Sequence, residues 1–269
     1  MGGALSRRDL EAAIEAWERR LRTWYTRDDD AILRGVNELD LGWGGVQRWA
    51  TAAIPPIGSP HLDFACGYGT FLAQLGWRFP NARLVGLNID FEGPHGRIRE
   101  LLKEAGVDAS LVRGDARRMP FEDRIFPSVS CFLGLQDIEI GFGEAGIRAA
   151  IAEATRVLRP GRALTLMDEF PLDRFEELLE GLPLSIMLRA ERTLDVRWDR
   201  EVATRAIEVF ADGWVVQTRA IDPEEQERTR AEVRATMTVE MERQLETTGH
   251  YVPFGPVRMV VARRIEDKA

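Results

Sequence analysis

Apolar residues recur along this chain at two different spacings, and the change from one to the other falls near residue 60. Over residues 6 to 26, Leu10, Ile14, Trp17, Leu21 and Trp24 return at steps of four and three, which lines one side of an α-helix. Ser6 and Asp9 have the spacing of a capping box at its start. Asp28 to Asp30 interrupts the stripe, a second helical stretch spans 29 to 37, and Gly42, Gly44 and Gly45 mark a turn before a further helix over 45 to 54. The prolines of IPPIGSP (54 to 60) end that helix, because proline lacks the N–H a helix interior needs. Residues 1–58 therefore read as an N-terminal helical cap.

Beyond residue 60, short apolar runs of strand length alternate with helical periods. HLDFA, ARLVGLN (82 to 88), ASLVR (109 to 113), SVSCFL (128 to 133) and RALTLMD (162 to 168) read as strands. Helices are predicted over 70 to 78, over 94 to 105 with Gly106 as the stop, and over 144 to 158 before Pro160 and Gly161. Such alternation implies right-handed crossovers and a Rossmann-like, doubly wound α/β fold with a mostly parallel sheet. In the C-terminal third, residues 173 to 181 read as a helix. Residues 199 to 211 read as a helix ended by Gly213, the alternative being a strand whose Asp212-Gly213 opens a hairpin into WVVQTRAI. Asp222, Pro223 and Glu225 begin a helix over 223 to 248 that Gly249 stops, and PVRMVVARR (256 to 264) closes the sheet as a strand. The core is expected over 59–269, with a helix-containing, substrate-side insertion at about 171–253.

Composition narrows the functional classes. A formal net charge of −8 leaves no default basic face for phosphates, which argues against a nucleic-acid partner. No run approaches the ~18–20 apolar residues of a membrane span, and no apolar signal core precedes the first charges, so a cytoplasmic protein is expected. Cys66 and Cys131 are too few for a disulfide framework or a cysteine-based zinc site, and no metal is expected.

The chemistry concentrates in LDFACGYGTF (62 to 71). Gly67 and Gly69 clear side chains from a strand-to-helix turn, where a ligand can approach the backbone. The dinucleotide fingerprint fails, because Leu72 stands at its third glycine, and no Gly-Lys-Ser/Thr follows for a phosphate loop. What remains is an acid, Asp63, four residues before the first glycine. It suits a ligand with a positive charge near the turn.

In this form the stretch resembles the first motif of the class I S-adenosylmethionine-dependent methyltransferases, acid-x-Gly-x-Gly-x-Gly. LVGLNID (84 to 90), GDARRMPFEDRIF (114 to 126) and RVLRPGRALTLMD (156 to 168) are similar to that family's later motifs, in the family's order. The resemblance covers residues 62 to 168 and implies a seven-stranded sheet. It implies that Asp63 meets the ammonium side of S-adenosyl-L-methionine, with Ala65, Gly67 and Gly69 passing close to its amino-acid part. Asn88 and Ile89 then stand at the ribose, Asp115 accepts from the adenine amino group, the Ala116 backbone bonds the ring edge, and Phe132 lies near the methionine arm. The product is S-adenosyl-L-homocysteine. Four positions depart from the pattern. Ala65 replaces the first glycine, which its φ would accommodate if negative. Asn88 replaces the ribose-binding acid, with Asp90 two residues on. Pro127 replaces an acid, and Arg162 replaces a glycine.

The resemblance points to methyl transfer to a small-molecule acceptor by in-line displacement. The alternative is a cofactor-binding relative without transfer activity. FLGLQD after the fourth strand lacks the Asn/Asp-Pro-Pro-aromatic signature of base-modifying enzymes, which weighs against nucleic acid. No catalytic base is named: Asp137 reads as a helix or loop cap and His95 as a surface loop residue, while Gln136 stands beside them near the acceptor side. Trp17 and Trp24 read as packing, and Trp43 and Trp49 sit where a cap can close over a substrate. Cys66 and Cys131 follow neighbouring strands and are expected near the cofactor. Acceptor pockets are built from variable lids and loops, so the acceptor, the choice among oxygen, nitrogen and carbon, and the oligomeric state (monomer or homodimer) carry no signature here.

Overall fold

Strand-length runs in the sequence become strands of one sheet: β1 (His61–Phe64), β2 (Leu84–Asn88), β3 (Ala109–Arg113), β4 (Phe126–Phe132), β5 (Leu158–Asp168), β6 (Leu184–Arg192) and β7 (Val257–Arg264). This computed structural model describes residues 45–92, 95–193, 197–218, 222–252 and 255–265. The helices expected over 6 to 26 and 29 to 37, with Trp17, Trp24 and Trp43, lie outside the described residues. The strand order is β3-β2-β1-β4-β5-β7-β6. The first five strands pair in parallel, and β7 runs antiparallel between β5 and β6. The order reverses between β2-β1 and β4, which leaves a crevice at the carboxyl ends of these strands.

The described helices are α1 (Val46–Ala53), α2 (Thr70–Arg78), α3 (Ile98–Ala105), α4 (Leu135–Val157), α5 (Leu172–Leu179), α6 (Arg200–Thr218) and α7 (Pro223–Thr248), with a short 3₁₀ turn at Ala116–Arg118. Gly143, at φ 68° and ψ −172°, breaks α4 into two pieces. The second piece is the helix expected from residue 144. The first has no sequence cap of its own.

Register assigns opposite characters to the two faces of the central strands. Leu62 pairs with Val129, which pairs with Leu164. With Phe64, Cys131 and Leu166 they bury against Ile147, Ala150, Ile151 and Ala154 of α4. Burying such side chains contributes about 1.5–3 kcal/mol each. One residue out of phase, His61 pairs with Ser128 and Asp63 with Ser130, which pairs with Thr165, so the other face carries buried polar groups.

The chain divides into two compact units, one taking in Val46–Arg192 and the stretch from Val257, the other Thr193–Pro256. In the second unit, α6 and α7 are antiparallel and joined by ion pairs Arg200–Glu242, Arg230–Asp212 and Arg234–Glu208. Ala203, Ala206, Ile207, Ala211 and Val215 recur at helical spacing and are buried, which decides for helix over the hairpin alternative. Gly213 does not end α6, which runs on to Thr218. Asp222 caps α7, its carboxylate accepting from the Glu225 N–H at 3.3 Å, and Gly249 at φ 76° stops it. No described helix is long and apolar enough to cross a membrane.

Candidate functional site

The turn from β1 into α2 holds three left-handed residues: Ala65 at φ 52°, Gly67 at 49° and Gly69 at 77°. The glycines have different reasons. A Cβ on Gly69 would lie 2.6 Å from Ile98 Cγ1, so the turn needs both the conformation and the space. A Cβ on Gly67 would meet nothing within 4 Å, so open room lies beside that backbone. Ala65 corrects the expectation of a negative φ. Its left-handed conformation crowds Cβ against the following carbonyl and costs roughly 1–2 kcal/mol. The methyl has a dedicated place: a Cβ on Gly134, after β4, would lie 2.6 Å from the Ala65 Cβ. Ala65 and Gly134 thus divide one side-chain volume between two turns.

Asp63 is 1% exposed. Burial pushes its carboxyl up to about 7, against the opposing pull of the Ser130 hydroxyl, which donates to Oδ1 at 2.7 Å. Among the described residues no other group donates to this carboxylate. The adjacent Cys66 and Cys131 are free and buried, and burial together with the Asp63 charge raises both thiols.

At the end of β2, Asn88 is buried and its amide is occupied: Nδ2 donates to the Asp90 carbonyl at 2.8 Å and lies 3.2 Å from His95 Nδ1. His95 is 3.3 Å from Asp90 Oδ1 and stands edge-on to Tyr68. His95 thus stays in the partly exposed segment after β2, as expected, and also joins the Asn88–Asp90 cluster. Ile89 follows, partly buried. The Gly114 N–H donates to the Asn88 carbonyl at 2.9 Å, which ties the next turn to this one. There Asp115 caps the Ala116 turn, accepting from the Arg117 N–H at 2.8 Å, and both its oxygens are 3.0 Å from Arg117 Nε. The Arg117 guanidinium stacks on Phe142, 3.5 Å from its centroid. Phe132 stacks on Phe71 with centroids 4.7 Å apart.

Two features were not legible in the sequence. The buried Asp168 carboxylate accepts from the N–H groups of Leu135 at 3.0 Å and Gln136 at 3.2 Å, so an acid on β5 caps a helix that starts 33 residues earlier. Burial raises it to about 6, opposed by these N–H groups and that of Glu169. Asp137 stands exposed in the first turn of that helix, so Asp168 supplies the cap that Asp137 was expected to provide. The second feature is Gln47. It is buried on α1, its Nε2 donates to Thr70 Oγ1 at 2.8 Å at the start of α2, and its Oε1 has no partner. Its only signal was a glutamine among the apolar positions of a short helix.

These residues fit an S-adenosylmethionine-type cofactor. A dry carboxylate suits an ammonium, and the room beside Gly67 leaves the backbone approachable. An unpaired buried acceptor such as Gln47 Oε1 costs about 1–3 kcal/mol, which an N–H donor of a ligand bound at the turn would offset. A separate cavity of about 250 Å³, lined in part by Gly58, His61, Ser128, Arg162, Thr165 and Arg263, opens at the opposite, amino-terminal edge of β1, β4 and β5.

Comparison with known proteins bears on the family. A family model for a methyltransferase domain matches residues 62–161. The demethylmenaquinone methyltransferase of Roseiflexus castenholzii is 35% identical over 132 residues, 48% of this chain and 50% of that protein. The ubiquinone/menaquinone biosynthesis C-methyltransferase of Paracoccus denitrificans is 35% identical over 159 residues, 55% of this chain and 60% of that one. The fatty-acid O-methyltransferase of Mycolicibacterium smegmatis is 27% identical over 167 residues, 61% of this chain and 58% of that one. This chain thus spans about half to three-fifths of these relatives. Among solved structures, a Bacillus halodurans C-125 protein provisionally assigned as a methyltransferase aligns with a TM-score of 0.54 at 16% identity, covering 81% of this chain and 98% of that one. The [4+2]-cyclase SpnF aligns at 0.51 and 15% identity, covering 85% and 82%. Likeness at that level speaks to the fold and not to the reaction.

Proposed function

We propose that the chain is a class I methyltransferase, in which the matched methyltransferase domain transfers a methyl group from S-adenosyl-L-methionine to a small-molecule acceptor, releasing S-adenosyl-L-homocysteine. One observation carries the reading: the ends of β1 to β4 bring Asp63, the Ala65–Gly69 turn, Asn88, Ile89, Asp115, Ala116 and Phe132 to one edge of the sheet, at its switch point. When bound, the cofactor supplies a sulfonium-activated methyl, so the protein's main contribution is alignment, which can supply roughly 7–11 kcal/mol of a barrier.

Asp63 and Gln47 receive the amino-acid end, and the turn approaches it through backbone alone. The Asn88 Oδ1 accepts from a ribose hydroxyl while Nδ2 stays bound to Asp90. Asp115 accepts from the adenine amino group and shares its carboxylate with Arg117. Phe132 and Phe71 form an apolar wall that excludes water from the methionine arm. A cytoplasmic location belongs to the same reading.

Isothermal titration with S-adenosylmethionine and S-adenosylhomocysteine tests the cofactor assignment, and no binding of either sinks it. A turnover panel that includes a hydroquinone and a fatty acid, read by product mass, tests transfer. Binding without turnover on a broad panel favours a protein that keeps the cofactor site and has lost the reaction.

A further inference from the structure

Residues far apart in sequence meet on the polar face of the sheet. The Gly58 N–H donates to Ser128 Oγ at 2.9 Å, and His61 Nδ1 lies 2.7 Å from the same oxygen. His61 Nε2 lies 2.9 Å from Ser130 Oγ, which lies 2.7 Å from Asp63 Oδ1. All four side chains are buried. Building on the cofactor reading, we infer that His61 and Ser130 are positioning residues that hold the Asp63 carboxylate for a cationic group of the cofactor, through a relay that starts at Gly58 and runs one way.

Proton counting fixes the direction. An ionised carboxylate only accepts, so the single Ser130 proton points at Asp63. The Ser130 oxygen must then accept from His61, which places the imidazole proton on Nε2. His61 Nδ1 is left as an acceptor and takes the Ser128 proton at 2.7 Å, in preference to the Gly58 carbonyl 3.4 Å away, and the Ser128 oxygen takes the Gly58 N–H. Each donor is used once. An imidazolium would present a second donor to Ser128, and burial holds His61 neutral by pushing it down to about 3. The chain is aligned head to tail, so each bond polarises the next. With Oδ1 held by Ser130, Oδ2 remains the oxygen that can accept from a ligand. The register of β1 on β4 supplies the alignment, since His61 faces Ser128 and Asp63 faces Ser130. The cavity at the amino-terminal edge, lined by Gly58, His61 and Ser128, lies at the far end of the relay.

Two measurements on the full chain test this. Side-chain nitrogen NMR has three histidines to assign, and His61→Gln identifies the resonance. A neutral Nε2–H tautomer at pH 7.5 is expected, and an Nδ1–H tautomer or an imidazolium overturns the relay. Calorimetry then compares Ser130→Ala with Ser130→Thr, each checked for folding by thermal melting. A hydrogen bond to a charged group is worth about tenfold to a hundredfold in a binding constant. Ser130→Ala should weaken S-adenosylhomocysteine by that factor and leave methylthioadenosine, which lacks the amino-acid end, unchanged. Ser130→Thr, which keeps the hydroxyl, should restore binding. Unchanged homocysteine-product affinity in Ser130→Ala, or equal loss for both ligands, overturns the positioning role. If the unaltered protein binds neither ligand, the cofactor reading fails with the positioning role, and the tautomer alone judges the relay.

Discussion

The sheet unit and the helical unit hold their polar groups by opposite means. In the sheet, His61, Asp63, Ser128 and Ser130 are buried, and each proton has one destination. Between α6 and α7, Arg200, Arg230 and Arg234 pair with Glu242, Asp212 and Glu208 at the surface, and Arg230 also reaches Glu227. Water is the difference. Where it is excluded, a missing partner is costly and geometry becomes unique; where it is present, it replaces any lost partner. The proposed chemistry is built on the first kind of region, where position is enforced.

The predictions probe that contrast from the largest effect to the smallest. Gly134→Ala should cost about 1–3 kcal/mol by overpacking, because its Cβ would lie 2.6 Å from the Ala65 Cβ and 3.0 Å from the Ala65 carbonyl oxygen. Adding Ala65→Gly should recover most of that loss in chemical denaturation, whereas additive costs would break the idea of a shared volume.

Asp63→Asn probes the buried charge. The native carboxyl titrates near 7 against an ordinary 3.8, so the folded state keeps its proton to higher pH. Its contribution to stability is full below about pH 4 and is lost as pH rises through 7. The variant has no charge to bury. Its stability relative to the parent should therefore improve by roughly 1–3 kcal/mol between pH 5 and pH 8. His61 has the opposite sign, losing stability as pH falls from 6.5 towards 3, but it is common to both proteins and cancels. A gap independent of pH contradicts the buried charge. Cofactor affinity in the same variant should fall.

Ala65→Gly relieves the left-handed strain, worth about 1 kcal/mol, less the greater freedom glycine has when unfolded. A net gain of up to ~1 kcal/mol in denaturation, unaffected by salt, is expected. Unchanged cofactor affinity would make the alanine neutral for binding. Arg234→Ala, in the helical unit, should cost only about 0–1 kcal/mol, and the cost should vanish in molar salt. A large, salt-resistant loss there would erase the contrast between the units.

Much of the fold was legible because it is local. The helix over 70 to 78 and the strand over 109 to 113 were predicted at their observed limits. The caps of α7, Asp222 and Gly249, stand where side-chain chemistry and glycine freedom put them. The strand at Leu184–Arg192 was missed, because its burial shows no clean alternation and its pairing depends on β7, about seventy residues later. The candidate site divides in the same way. Glycines and acids at strand ends follow from motif spacing. The His95 contact with Asn88 and Asp90, and the Asp168 cap on α4, depend on which turns the sheet brings together.

By itself, the amino-acid sequence determined the strand–helix alternation, the glycine turn with its acid and the identity of the groups at each strand end, because these rest on local periodicity and backbone freedom. Only the tertiary structure decided the sign of φ at Ala65, its sharing of space with Gly134 and the line from Gly58 through His61 and Ser130 to Asp63. The physical reason is register. Parallel pairing of β1 with β4 brings residues 67 apart within hydrogen-bond distance, and burial then keeps water from competing for their protons.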